Sequence, residues 1–168
     1  MTTVFTTMPS PLGQLLLAGR ADGDGPVALV SVTAPGQRGG PVEPAPDWLP
    51  DPAALAAAVE QLTAYFEGTR TSFDLPLDPE GSEFRRQVWK ALDDIPYGGT
   101  VTYGELGAAA GLPPTAVRAV GGAVGANPLL VIRPCHRVVG ASGALTGFAA
   151  GIDRKRWLLE HERGATLF

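Results

Sequence analysis

Asp78-Pro79-Glu80-Gly81 divides this 168-residue chain into two stretches of different texture. Before it, short runs of β-forming residues alternate with turn residues. After it, apolar residues recur at helical spacing. A chain of this length holds one domain or two small ones. The break favours two: an α/β unit over 1–77, a linker over 78–81, and a mainly helical unit over 82–168.

In the first stretch, Thr3 to Thr7, Gln14 to Ala18 and Val27 to Val32 read as strands. Ser10-Pro11-Leu12-Gly13 makes the hairpin turn between the first two. Residues 33–50 are rich in Pro and Gly and read as a loop. Asp51 caps a helix with Pro52 in its first turn. Leu55, Val59, Leu62 and Phe66 give that helix its spacing, and Gly68 ends it. Phe73 to Leu77 reads as a last strand.

The second stretch opens with an apolar stripe of Phe84, Val88, Ala91 and Leu92. A turn follows at Pro96-Tyr97-Gly98-Gly99. Thr102 and Glu105 fit the capping-box pattern of a short helix ending near Ala110. Pro113-Pro114 opens another, carrying Arg118 and running to about Val124. Two short helices joined by a glycine-containing turn are a helix-turn-helix pattern. The second of them is built almost wholly from small residues. Either something approaches its backbone closely, or it packs against a neighbouring helix.

Charge separates the halves too. Residues 1–81 carry a net charge of −7 and residues 82–168 a net of +3. The overall acidity argues against indiscriminate nucleic-acid binding, and the split allows a basic surface in the second half. Ordinary surface variation would give the same numbers. No stretch approaches the ~20 apolar residues of a membrane span, and the first residues lack the pattern of a secretory signal. A cytoplasmic protein is expected, in a compartment that keeps thiols reduced.

Chemistry concentrates at Pro134-Cys135-His136-Arg137-Val138. Cys135 is the only cysteine and stands beside one of two histidines. A thiolate is a strong nucleophile, and an imidazole can generate it near neutral pH. Sequence neighbours need not have neighbouring side chains, and a lone cysteine is often just a small buried hydrophobe. With so few Cys and His residues, a structural zinc site is not expected. The last helix, Ile152 to about Glu162, places Glu162 beside the apolar positions Leu158 and Leu159. A carboxylate there needs a partner. His136 and Arg137 are candidates, and a Cys–His–Glu relay would follow nucleophile–base–orienter logic. A solvated helix end is the alternative.

Together these residues resemble a known family. Ile95-Pro96-Tyr97-Gly98, Thr102-Tyr103-Gly104-Glu105-Leu106, Arg118-Ala119-Val120-Gly121, Asn127-Pro128, Pro134-Cys135-His136-Arg137-Val138-Val139 and Trp157-Leu158-Leu159-Glu160-His161-Glu162 occur in order. The series is similar to the O6-alkylguanine-DNA alkyltransferases, over roughly residues 82–165. In the first half only Ser10-Pro11-Leu12-Gly13 and the general layout agree.

The resemblance implies an RNase H-like α/β domain followed by a helical, winged-helix-like domain with a helix-turn-helix. It implies that Cys135 takes the alkyl group from O6-alkylguanine, and from O4-alkylthymine, in a single turnover without a cofactor or metal. His136 would remove the thiol proton through a water. Glu162 would orient His136, and Asn127 would brace the turn carrying the nucleophile. Tyr103 would donate to the departing guanine. Val138, Phe148, Ala149 and Ala150 would join Tyr103 in lining the guanine pocket. The partner would be double-stranded DNA, bound through the minor groove by Ala116, Arg118, Gly121, Ala123 and Tyr103. Arg118 would fill the gap left by a flipped nucleotide. The protein would act as a monomer, with cooperative binding along DNA left open. Arg133, Phe148 and Ala150 depart from the usual pattern, the last standing where glycine is common, and they bear on alkyl preference. A helix-turn-helix regulator and a Cys–His hydrolase are the competing classes.

Overall fold

The computed structural model describes residues 2–23 and 25–164. Residues 1, 24 and 165–168, which fall within the two expected domains, lie outside the described residues. The chain forms two compact units. One comprises Met1–Glu80 with Pro128–Ile132, the other Gly81–Asn127 with Arg133–Phe168.

The first unit is a four-stranded sheet in the order β3-β2-β1-β4. Its strands are β1 (Thr2–Met8), β2 (Leu15–Ala21), β3 (Ala28–Thr33) and β4 (Leu49–Pro50). β1 and β2 pair antiparallel from Thr2↔Ala21 to Met8↔Leu15. The Ser10 side chain ties their turn, accepting from Leu12 N (3.1 Å) and donating to Gly13 O (2.6 Å). β2 is central, so consecutive residues Leu15, Leu16, Leu17 and Ala18 are all buried. Gly19 lies where the β2–β3 register shifts. A Cβ there would come within 2.4 Å of Val27 Cγ1 and 2.9 Å of Leu55 Cδ2, so only glycine fits.

Asp51 Oδ1 accepts from Ala54 N (3.2 Å), starting the turn that leads into α1 (Ala56–Phe66). The face that α1 and this turn bury is Leu55, Ala58, Leu62 and Tyr65. The expected stripe of Leu55, Val59, Leu62 and Phe66 is therefore rotated: Val59 and Phe66 stay half-exposed, and Tyr65 takes the core position. Gly68 closes the helix at φ +83°. The strand expected over Phe73 to Leu77 shrinks to a single parallel bridge, Leu29↔Leu77. Gln61 occupies both backbone groups of Asp74 (2.9 and 3.0 Å), and Pro76 has no N–H to offer. In the expected linker, Asp78 and Glu80 both pair with Arg20 (3.1 and 2.8 Å).

One excursion was not legible in the sequence. Residues 128–132 leave the second unit and run beside β3, with Val32 N donating to Pro128 O (2.9 Å) and Leu130 N to Val32 O (3.2 Å). The run is apolar and fully buried at Leu129, Leu130 and Val131.

The second unit is mainly helical: α2 (Glu83–Leu92), α3 (Tyr103–Ala109), α4 (Val117–Gly125) and α5 (Ile152–Gly164). Two short parallel strands, β5 (Val101–Thr102) and β6 (Val138–Val139), complete it. Ser82 caps α2, and the Thr102–Glu105 capping box starts α3. Trp89 is buried in α2 and donates to Ala123 O (2.8 Å) in α4. α3 and α4 are joined through Gly111 (φ +78°) and a short 3-10 turn at Pro114–Ala116. Fold class is thus as expected, an α/β unit and a helical unit.

Candidate active site

The nucleophile's backbone is set by two tight turns. Ile132 N donates to Leu130 O (2.8 Å) around Val131, and Cys135 N donates to Arg133 O (2.7 Å) around Pro134. Val131 has φ +70°, alone among the described non-glycine residues. A β-branched residue there is strained by about 1–3 kcal/mol and persists only where its surroundings hold it. At the neck of the excursion Asn127 Nδ2 donates to Arg133 O (3.2 Å). The Arg133 guanidinium lies 5.9 Å from the Trp89 ring centroid and pairs with Asp93 (3.2 Å), which accounts for a charge at an expected apolar position.

Cys135, His136 and Arg137 form one turn of 3-10 helix. Its three side chains diverge, so thiol and imidazole are not bonded directly. His136 instead turns inward. Its Nε2 lies 2.6 Å from Glu162 Oε2, with both residues essentially inaccessible to solvent. Glu162 also accepts from Arg137 through both oxygens, Nε to Oε1 at 2.7 Å and Nη2 to Oε2 at 3.0 Å. Gly98 N donates to Oε1 (3.3 Å), and Arg137 Nη1 donates to Ile95 O (2.6 Å). Glu162 is therefore no frayed, solvated end.

This arrangement fixes the imidazole tautomer. A carboxylate gripped by a guanidinium accepts only, so Nε2 carries the hydrogen and Nδ1 keeps its lone pair. Nδ1 is buried with no hydrogen-bond partner among the described residues. Burial holds the His136 pKa below its ordinary value, against the opposing pull of Glu162. Burial also pushes the Cys135 thiol up. The hydrogen bond from Asn127 and the positive charge of Lys155 oppose that rise. At rest the pair is a neutral thiol and a neutral imidazole, a proton donor and an acceptor.

Of the expected pocket residues, Val138, Phe148 and Ala150 are buried, while Tyr103 and Ala149 are half-buried. Val138 N donates to Cys135 O within the turn, so that donor is already used. Tyr103 Oη lies 3.4 Å from Thr146 Oγ1. Positive φ falls on Gly151 (+93°) and not on Ala150, so alanine there adds volume without backbone strain.

The small residues of α4 divide between two faces. Val120, Ala123 and Val124 are buried, so one face packs inward. Arg118, Ala119, Gly122 and Gly125 are exposed. Ala116 and Gly121 are half-buried, Gly121 against the Tyr103 ring. Ala123 needs correction as a DNA contact: its side chain is core and its carbonyl serves Trp89.

Sequence reasoning missed Lys155. It is fully buried on the same face of α5 as Leu158, Leu159 and Glu162. Its Nζ donates to Thr146 O (2.9 Å) and lies 6.0 and 5.8 Å from the Tyr103 and Phe148 ring centroids. The signal was available, because Lys155 stands one helical repeat before Glu162. Among the described residues no group of three or more His, Cys, Asp or Glu is placed to hold a metal ion. None of the helices among the described residues is long and apolar enough to cross a membrane.

The chain thus joins an α/β unit to a helical unit that holds a buried thiol next in sequence to a buried His–Glu pair. Family comparison agrees in both halves. Residues 3–79 match the 6-O-methylguanine DNA methyltransferase ribonuclease-like domain, and residues 83–164 match its DNA-binding domain. The chain belongs to the 6-O-methylguanine DNA methyltransferase family. A methylated-DNA–protein-cysteine methyltransferase of Mycolicibacterium paratuberculosis is 50% identical over 95% of this chain and 92% of its own. One from Methanosarcina barkeri is 44% identical over 94% and 96%. The crystal structure of Mycobacterium tuberculosis OGT in complex with DNA is 47% identical, covers 96% of this chain and 94% of its own, and superposes with a TM-score of 0.85.

Proposed function

We propose that this protein repairs DNA by transferring an alkyl group from O6-alkylguanine, and from O4-alkylthymine, to Cys135. The observation that carries the reading is the buried His136–Glu162 pair beside the chain's single cysteine. The thiol proton passes through a water to His136 Nδ1, while Glu162 stabilises the imidazolium that forms. The sulfur attacks the alkyl carbon, the C–O6 bond breaks, and its electrons leave with guanine. Tyr103 donates a hydrogen bond to that leaving group, guanine takes up a proton from water, and His136 gives its own back to solvent. The thioether has no route back, so each chain reacts once.

The target atom lies inside the duplex, so the nucleotide flips out. The exposed face of α4, with Ala116, Arg118 and Gly121, enters the minor groove, and Arg118 fills the vacated space. Val138, Phe148, Ala149 and Ala150 line the pocket. The protein works as a monomer in the cytoplasm.

Mixing purified protein with a duplex carrying labelled O6-methylguanine tests this reading. At most one methyl per chain should end on Cys135, and Cys135→Ser should bind DNA without accepting label. Repeated turnover would instead indicate a hydrolase. Binding with no transfer by the wild type would indicate a regulator.

A further inference from the structure

One oxygen of Glu162 serves two donors. Oε2 takes the His136 Nε2 hydrogen at 2.6 Å and a hydrogen from Arg137 Nη2 at 3.0 Å. Arg137 Nε holds the other oxygen at 2.7 Å. All three residues are buried. In such an interior an uncompensated charge is costly, so the sum of charges decides which protonation state is stable. A histidine and a glutamate alone would settle as imidazolium and carboxylate, which cancel. Such a histidine has no lone pair to offer a thiol. A guanidinium that already cancels the carboxylate reverses the balance, because protonating His136 would then add an uncompensated positive charge.

We propose that Arg137 is a positioning residue of the relay, which keeps His136 available as the base by neutralising Glu162 at rest. Glu162 then orients the imidazole without holding it protonated. The imidazolium exists only while the thiol proton is in transit. Arg137 gives up no proton and makes no covalent bond. The inference rests on His136 being the base of the proposed transfer.

The surroundings hold Arg137 to this task. Its Nη1 donates to Ile95 O (2.6 Å), and its guanidinium carbon lies 5.6 Å from the Tyr97 ring centroid. Gly98 N donates to Glu162 Oε1 (3.3 Å), so the turn over 95–98 grips both members of the ion pair. A planar fork suits this two-point hold on a carboxylate, which a lysine ammonium cannot copy. The charged and titratable groups around His136 are Cys135 and Arg137 on its own 3-10 turn and Glu162 and Lys155 on α5. Tyr97 faces the Arg137–Glu162 pair from the turn over 95–98. Burial is the largest influence holding the His136 pKa down, Glu162 raises it, and the charges of Arg137 and Lys155 lower it. Lys155 acts in the same direction as Arg137, but it is Arg137 that bonds the oxygen His136 uses.

The test is the protonation midpoint of His136, read by nitrogen NMR of its ring in the full chain, beside the pH profile of single-turnover transfer from an O6-methylguanine duplex. Arg137→Gln should raise the midpoint by about 1–3 pH units, the usual size of a charge effect at this range. The acid limb of the transfer profile should rise with it. Arg137→Lys keeps the charge and should hold the midpoint near the wild-type value. Arg137→Gln strands a buried carboxylate, so a second variant guards against misfolding. Arg137→Gln combined with Glu162→Gln buries no unpaired charge and should leave the midpoint close to that of the wild type. An arginine kept only for packing would put it far lower there, since the support of Glu162 is lost and no opposing charge is removed. An unmoved midpoint in folded Arg137→Gln, or a midpoint well below the wild type in the combined variant, would overturn the inference. A wild-type transfer profile with no limb at the His136 midpoint would instead sink His136 as the base.

Discussion

The two units bury different kinds of polar residue. Among the described residues, the buried polar side chains of the first are Ser31, Thr33 and Gln37, all neutral. The second buries Asn127, His136, Arg137, Lys155 and Glu162, four of them ionisable. Charge inside a protein costs stability unless it is paired. The first unit avoids that cost and folds as an ordinary sheet covered by a helix. The second accepts it at His136 and Arg137, next to Cys135, at their partner Glu162 and at Lys155. Its buried charges are therefore better explained by chemistry than by stability.

Three substitutions test that contrast, in falling order of effect on transfer. Glu162→Gln removes the negative end of the relay and leaves Arg137 without its ion-pair partner. Transfer should slow by ~10²–10⁴-fold, the usual worth of general-base assistance. The rate should then climb with pH towards the raised thiol pKa. An unchanged single-turnover rate would return Glu162 to a packing role. Arg118→Ala touches the surface of the same unit. Duplex repair should fall roughly tenfold or more, given the few kcal/mol that flipping costs, while reaction with the free modified base stays unchanged. Equal losses on both substrates would make Arg118 a support of the pocket or fold. Leu62→Ala opens a cavity in the fully buried core of the first unit. It should cost about 2–5 kcal/mol of stability in denaturant titration and leave the pH profile of transfer unmoved. A shifted profile would break the division between the units.

The sequence was most legible where local chemistry dictates structure. The Ser10–Gly13 turn, the Thr102–Glu105 capping box and the Gly68 helix end were readable because each is a short-range device. The α1 stripe was misplaced because spacing alone did not separate the Val59–Phe66 face from the Ala58–Tyr65 face. The Phe73–Leu77 strand failed because a side chain, Gln61, took the backbone groups a partner strand would need. Residues 128–132 carry apolar character but no sign of which core receives them. At the site, motif residues gave Cys135, His136 and Glu162. Lys155 was passed over because lysines usually face water, although its place one helical repeat before Glu162 put it on the same face of α5.

The central claim is that Cys135 is a protonated thiol at rest and loses its proton to His136 during reaction. Two pH profiles of the wild type decide it: the thiol titration by ultraviolet absorbance, and the single-turnover rate on an O6-methylguanine duplex. The account predicts that they separate. The thiol should titrate above its ordinary range, while transfer should already be fast at neutral pH. Transfer should fall only as His136 protonates, below the ordinary imidazole value. A rate that tracked the thiol titration point for point would mean that pre-formed thiolate reacts without the relay, and would contradict the account.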